Sequence, residues 1–163
     1  MSSLTEVYVK PFHPRSPAWI AAILVALGAQ PAAQAQVDVG TWVRTITPAT
    51  PGTVTMTVEV CCKGGRRLTY DLADAKQKML VESPLDGKEV PVLLDGKPSG
   101  QTMAITRIDS LRTSTVVKMN GKPFGISKAT MSNDGKTLVV ENDFSASVGG
   151  GPVGKFRETW VRK

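Results

Sequence analysis

The sequence predicts an all-β domain, an antiparallel up-and-down β-barrel of about eight to ten strands. Apolar and polar residues alternate with a period of two, as in half-buried strands. Asp-Gly and Asn-Gly pairs, which are strong hairpin signals, separate the alternating segments. The segment Thr41-Trp-Val-Arg44 recurs as Thr159-Trp-Val-Arg162, and the first and last strands pair when an even number of strands closes into a barrel. A β-sandwich, with the repeat a coincidence of strand composition, is the alternative.

Residues 1–35 have the pattern of a secretory signal peptide. Lys10 and Arg15 precede an apolar run over 18–28, and small residues stand at Ala33 and Ala35. A retained membrane anchor is the alternative, but a helix that crosses a bilayer needs about 20 apolar residues. We therefore expect cleavage after Ala35, a periplasmic or secreted protein with no stable membrane span, and one barrel domain over 36–163.

Composition excludes several classes of function. The chain has 163 residues and a formal net charge of +6. Residues 1–35 contain Lys10, Arg15 and Glu6, so their removal leaves 128 residues with a charge of +5. The only histidine, His13, is removed with them, which excludes Ser-His-Asp catalysis and histidine-ligated zinc. The six aromatic residues that remain are too few for a nucleic-acid stacking platform. We expect no enzyme activity, cofactor, metal or nucleic-acid partner.

Ten alternating segments are predicted as strands. In the second of them, Val54, Met56 and Val58 alternate with threonines. The predicted strands cover 41–46, 54–60, 67–72, 79–83, 90–94, 102–108, 112–119, 124–131, 138–144 and 156–162. The composition of residues 71–80 also favours a helix. We prefer a turn there, because both flanks alternate, and one short helix stays open.

The turns between these strands contain a repeated Asp-Gly-Lys or Asn-Gly-Lys sequence. It occurs at Asp86-Gly87, Asp95-Gly96, Asn120-Gly121 and Asp134-Gly135. Further turns are predicted at 48–52, 63–65, 73–75, 109–110 and 149–154. A phosphate-binding loop needs a longer glycine-rich stretch between a strand and a helix, so the repeat indicates hairpins.

Gly40-Thr41-Trp42 resembles the G-x-W motif of lipocalins and their calycin relatives. Arg162 resembles the last-strand arginine that packs across that tryptophan. Much of 40–163 is also similar to small exported bacterial lipocalin-like proteins of unknown function, through segments such as 95–98, 107–109, 120–122, 132–138 and 160–162. The resemblance implies a barrel closed by Gly40, Trp42, Trp160 and Arg162. It also implies that the barrel holds one small apolar ligand. Avidin-type barrels share Gly-Thr-Trp but have more tryptophans, so biotin binding is set aside.

The predicted inner faces carry polar residues among modest apolar ones. The candidate ligand-binding residues are Arg44, Met56, Tyr70, Arg107, Asn142 and Glu158. Because an unpaired buried charge costs several kcal/mol, the charged ones pair with each other, contact a ligand or reach solvent at a barrel end. The alternative function is a structural or interaction module of the cell envelope whose barrel interior is packed solid.

Cys61 and Cys62 are adjacent at the end of a predicted strand. Neighbouring strand residues point to opposite faces, so an ordinary disulfide is excluded. A vicinal disulfide acting as a redox-sensitive clip, or a soft-metal site, is one hypothesis. The other is one buried and one exposed thiol, or an intermolecular bridge after export.

Overall fold

Short alternating runs with turn residues between them form ten antiparallel strands in the computed structural model, which describes residues 38–48, 50–147 and 151–163. The predicted signal peptide lies outside these residues, and so do 149 and 150 of the predicted turn at 149–154. The strands are β1 Gly40–Arg44, β2 Val54–Cys61, β3 Gly65–Leu72, β4 Gln77–Ser83, β5 Asp86–Leu94, β6 Lys97–Arg107, β7 Arg112–Met119, β8 Lys122–Met131, β9 Thr137–Phe144 and β10 Gly154–Arg162.

The ten strands form a closed barrel in which each strand pairs with its neighbour along the chain. β1 pairs with β10, and the register places Trp42 opposite Arg162 and Arg44 opposite Trp160. The repeated Thr-Trp-Val-Arg segments therefore lie side by side. The predicted barrel is confirmed, and the sandwich alternative is wrong.

Because successive strands reverse direction, the barrel has two distinct ends. β1 begins at what we call the N-terminal end, where β2–β3, β4–β5, β6–β7 and β8–β9 are connected. The other five connections lie at what we call the distal end. Among the described residues, no helix is long and apolar enough to cross a membrane.

Two of the predicted hairpin turns have the backbone that Asp-Gly and Asn-Gly favour. Asp95 and Gly96 have φ of 48° and 78°, and Leu94 pairs with Lys97. Asn120 and Gly121 have φ of 49° and 77°. Two consecutive residues at positive φ match the right-handed twist of the flanking strands, so these turns also set the strand register.

Asp86-Gly87 is not a hairpin turn, and that prediction is wrong. Both residues belong to β5, and the chain reverses before them, at 84–85. Pro84 has no backbone N–H to donate, so it ends β4. The Asp86 carboxylate accepts the Lys88 backbone N–H, which makes the Asp-Gly pair a bulge at the start of β5.

Within 71–80, for which the sequence left a turn or a short helix open, residues 73–76 form a turn between two strands. β3 runs to Leu72, a single 3₁₀ turn covers Ala73–Ala75, and β4 begins at Gln77. Lys76 reverses the backbone at φ 53°. The preferred turn is confirmed, because pairing of β3 with β4 outweighs the helix propensity of the segment.

Side chains from the inner faces form two apolar clusters. One surrounds Trp42, Met56 and Trp160, and the other surrounds Val81 and Val92. Leu68 packs against both clusters. The interior between the walls is not filled, and this space is the candidate site.

Candidate ligand cavity in the barrel

The barrel encloses a cavity of about 380 Å³. Ligand pockets in proteins generally have volumes of about 300 to 1,000 Å³, so this one has the size of a small-molecule site. Apolar side chains provide most of its wall: Trp42, Val54, Met56, Val58, Leu68, Leu72, Met79, Leu85, Met103, Ile105, Leu111, Val117, Phe124, Ala129, Met131, Leu138, Val140, Phe144, Phe156 and Trp160.

All six candidate ligand-binding residues predicted from the sequence line this cavity. They come from six strands, because alternation places each of them on an inner face: Arg44, Met56, Tyr70, Arg107, Asn142 and Glu158. Asp38 and Arg66 also line it and were not predicted. Arg66 shares the face of Leu68 and Tyr70, so alternation in β3 could have identified it. Asp38 lies before β1, where no alternation exists.

Arg44 and Glu158 form an ion pair inside the barrel. Arg44 Nη1 donates to Glu158 Oε1 over 2.8 Å, and the two side chains are 14% and 15% exposed. Arg44 Nη2 donates to the carbonyls of Pro51 and Gly52. The charges of Arg44 and Glu158 therefore balance, and three hydrogen bonds fix the guanidinium.

Tyr70 lies beside this ion pair. Its ring packs edge-on against Trp160, with 6.0 Å between the centroids. Burial raises the pKa of Tyr70 well above its ordinary value, and the negative charge of Glu158 raises it further. The phenol therefore stays protonated at physiological pH and can donate a hydrogen bond into the cavity.

A second charged cluster lies at the N-terminal end. Arg66 donates to both carboxylate oxygens of Asp38, over 2.7 and 2.8 Å, and its side chain is 4% exposed. Arg107 approaches the same carboxylate at 3.5 Å but is 39% exposed. Two arginines thus share one carboxylate, which leaves this end of the cavity with one excess positive charge.

The side-chain oxygen of Asn142 has a hydrogen-bond partner within the barrel wall. Its Oδ1 accepts a hydrogen bond from Ser127 Oγ over 2.6 Å. Near it, at the distal end, Phe144 packs edge-on between Phe124 and Phe156. These phenyl rings form the apolar wall at that end.

The predicted closure residues lie together at the N-terminal end. The Arg162 guanidinium stands 4.7 Å from the centroid of the Trp42 ring. It also donates to the carbonyls of Val39 and Gly135. A Cβ at Gly40 would come within 3.3 Å of Arg162 Nη1, so the glycine allows the arginine to pass. Trp160 lies on the same sheet seam, opposite Arg44.

The two cysteines are joined as a vicinal disulfide. The strand ends at Cys61, and Cys62 adopts φ 50° in the turn, so the opposite-face rule for strand neighbours no longer applies. Neither sulfur is a thiolate in this state, so soft-metal binding would first need reduction. The redox and soft-metal roles stay hypotheses. The described residues contain no group of three or more His, Cys, Asp or Glu that could hold a metal ion.

No protein-family model matches the sequence, and no curated protein matches it. Solved structures do match. A single-substitution mutant of the fluorescent protein UnaG is similar with a TM-score of 0.60 and 13% identity, over 78% of this chain and 97% of that one. Wild-type UnaG is similar with a TM-score of 0.57 and 14% identity, over 77% of this chain and 96% of that one. At these identities the similarity establishes the fold alone, a closed, lipocalin-like antiparallel β-barrel.

Proposed function

We propose that this protein is exported and binds a small, mainly apolar molecule inside the barrel. The observation that carries the binding proposal is the cavity of about 380 Å³ with mainly apolar walls. Binding would be favourable because about 25 cal/mol is gained for each Å² of apolar surface removed from water. The signal-peptide pattern of residues 1–35 supports export.

The alternative, an interaction module with a solid interior, fits this cavity less well. A barrel that serves only as a scaffold gains stability when side chains fill its centre, since empty volume forfeits packing contacts. The inner faces instead present small residues such as Ala129 and Val117. We also propose no enzymatic role, because the charged groups of the wall are held in ion pairs.

The thermal midpoint of the purified protein tests ligand binding. A molecule that binds only the folded state raises this midpoint. We expect at least one member of a panel of fatty acids, fatty alcohols, sterols and isoprenoids to do so. If no member shifts it, the proposal fails.

A matched pair of variants locates the binding site. Ala129 lines the cavity, whereas Ala104 lies on the outer face of β6 between the inward-facing Met103 and Ile105. Ala129→Phe should abolish or strongly reduce the ligand-induced shift, because the ring occupies the cavity. Ala104→Phe should leave the shift unchanged. Equal effects of the two substitutions would place the ligand elsewhere.

A further inference from the structure

The Tyr70 hydroxyl and Glu158 Oε2 lie on the cavity wall and make no hydrogen bond to any described residue. Glu158 uses its other oxygen, Oε1, for Arg44. Tyr70 contacts the ring of Trp160, which follows Glu158 by two residues on the inner face of β10. A donor and an acceptor without protein partners therefore face the same cavity, from two strands whose inner faces meet at the contact between Tyr70 and Trp160.

Arg44 has no uncompensated charge to offer an incoming anion. Nη1 donates to Glu158 and Nη2 donates to two backbone carbonyls, so three of the five guanidinium N–H groups are used. Its Nε has no partner among the described residues, but it is buried beneath the cavity surface, where a ligand cannot reach it without moving the side chain. The positive charge is already balanced by Glu158.

This arrangement discriminates between ligand head groups. A carboxylate would lie beside Glu158 with no unpaired cation to stabilise it, and an amine would lie beside Arg44. The carboxylate would be a buried charge without a partner, and the ammonium would share Glu158 with Arg44 and leave one positive charge unbalanced, so both are unfavourable. A neutral hydroxyl has no such penalty, and it can both donate and accept.

We infer that the ligand is an apolar alcohol whose hydroxyl accepts a hydrogen bond from Tyr70 Oη and donates one to Glu158 Oε2. This inference rests on the proposed function and specifies its ligand class. The hydrocarbon part lies against the apolar wall, and the hydroxyl fixes its orientation.

Three probes with the same hydrocarbon chain test the inference: a primary alcohol of about ten carbons, its methyl ether and the corresponding carboxylic acid, chosen to fit the cavity. Isothermal titration calorimetry at neutral pH measures each Kd on the purified protein. We expect the alcohol to bind about tenfold more tightly than the ether, which cannot donate, and more tightly than the ionised acid.

Two substitutions test the named groups. Tyr70→Phe removes only the phenolic hydroxyl, and we expect it to weaken alcohol binding several-fold and ether binding to a smaller extent. Glu158→Gln leaves the charge of Arg44 unbalanced, so it should weaken the alcohol and strengthen the acid. Glu141→Gln is the matched control, since Glu141 is exposed on the outer face of β9. It should change none of the three affinities.

The outcomes separate the inference from the proposed function. If none of the three probes binds, and no member of the wider panel does, the proposed function fails. If all three bind equally, or if Tyr70→Phe leaves the preference for alcohol unchanged, only the inference is overturned.

If the acid binds most tightly and Arg107→Gln abolishes this preference, the inference is also overturned, and the ligand has an anionic head group bound at the N-terminal end. Circular dichroism establishes whether each variant is folded. If Glu158→Gln does not fold, the conservative Tyr70→Phe still tests the inference.

Discussion

At the residue scale, the interior of the barrel shows how buried charges are tolerated. Arg44 and Arg66 each have a carboxylate partner and backbone carbonyls as acceptors. Such pairs need several good hydrogen bonds, because the loss of solvation otherwise exceeds the Coulombic attraction. Arg44 and Glu158 therefore follow the first of the three predicted possibilities, which was pairing with each other. Arg107, which is 39% exposed at the barrel end, follows the third, which was access to solvent.

Tyr70 gives a prediction on alkaline pH. Its pKa is raised in the folded state, first by burial and then by Glu158. Between the unfolded value of about 10 and the higher folded value, the unfolded chain loses the phenolic proton while the folded one keeps it. The free energy of unfolding therefore falls as pH rises above about 10.

We expect this alkaline loss of stability to be smaller in Tyr70→Phe than in the wild type. Urea unfolding at a series of pH values measures it, and the difference between the two proteins removes the contribution of lysines, which titrate in the same range. Parallel pH profiles for the two proteins would contradict the prediction. Tyrosinate absorbance gives an independent check, since Tyr70 should ionise only when the barrel unfolds.

At the scale of elements, the connection between β4 and β5 departs most from local rules. Leu85 has φ of 62°, a left-handed conformation that is rare for a leucine, and its side chain is only 9% exposed. It packs in the cluster of Val81, Val92 and Ile105. The burial of this side chain stabilises a backbone conformation that costs roughly 1 to 2 kcal/mol.

At Leu85 we therefore expect alanine to destabilise the protein more than glycine does, the reverse of the usual order in a strand. Leu85→Ala and Leu85→Gly both remove the buried side chain, but only glycine also relieves the left-handed backbone. We expect Leu85→Gly to be less destabilising than Leu85→Ala by about 1 kcal/mol, as measured by urea unfolding.

Val92 is the control for this comparison, because its side chain is buried in the same cluster while its backbone is not at positive φ. There, Val92→Gly should be more destabilising than Val92→Ala, by about 0.5 to 1 kcal/mol. The same order at both positions would show that the Leu85 backbone contributes no strain.

At the scale of the whole molecule, closure of the barrel depends on the pairing of the first and last strands. Arg162 reinforces this closure by contacting three separate parts of the chain: Trp42 in β1, Val39 before it and Gly135 in the β8–β9 connection. A sheet without this seam would have two exposed edges, which invite pairing with other chains.

We expect Arg162→Gln to destabilise the protein by about 1 to 3 kcal/mol, because it removes a cation–π contact and leaves backbone carbonyls without donors. Arg157→Gln serves as the control, since Arg157 is exposed on the outer face of the same strand. Its effect should lie within about 0.5 kcal/mol of zero. Urea unfolding measures the free energy of unfolding of both variants. Equal decreases for the two would show that the contacts of Arg162 do not stabilise the barrel.

The fold was largely predictable because its signals are local. Alternation gives the face of each residue, and Asp-Gly or Asn-Gly gives the hairpins at Asp95 and Asn120. The same local signal failed at Asp86, because Pro84 and the burial of Leu85 moved the chain reversal upstream. A pattern of residue types cannot weigh a turn preference against the burial of a side chain.

The sequence by itself determined the antiparallel barrel, its closure by the two Thr-Trp-Val-Arg segments and the set of inward polar residues. The inward residues follow from the period of two, which applies to every strand separately, and closure follows from the repeat, which marks the first and last strands. Only the tertiary structure decided which of those residues are paired, how large the cavity is, and that Asp38 joins Arg66. The physical reason is that hydrogen-bond partners such as Arg44 and Glu158, 114 positions apart, are set by strand register and barrel closure. No local pattern of residues contains that information.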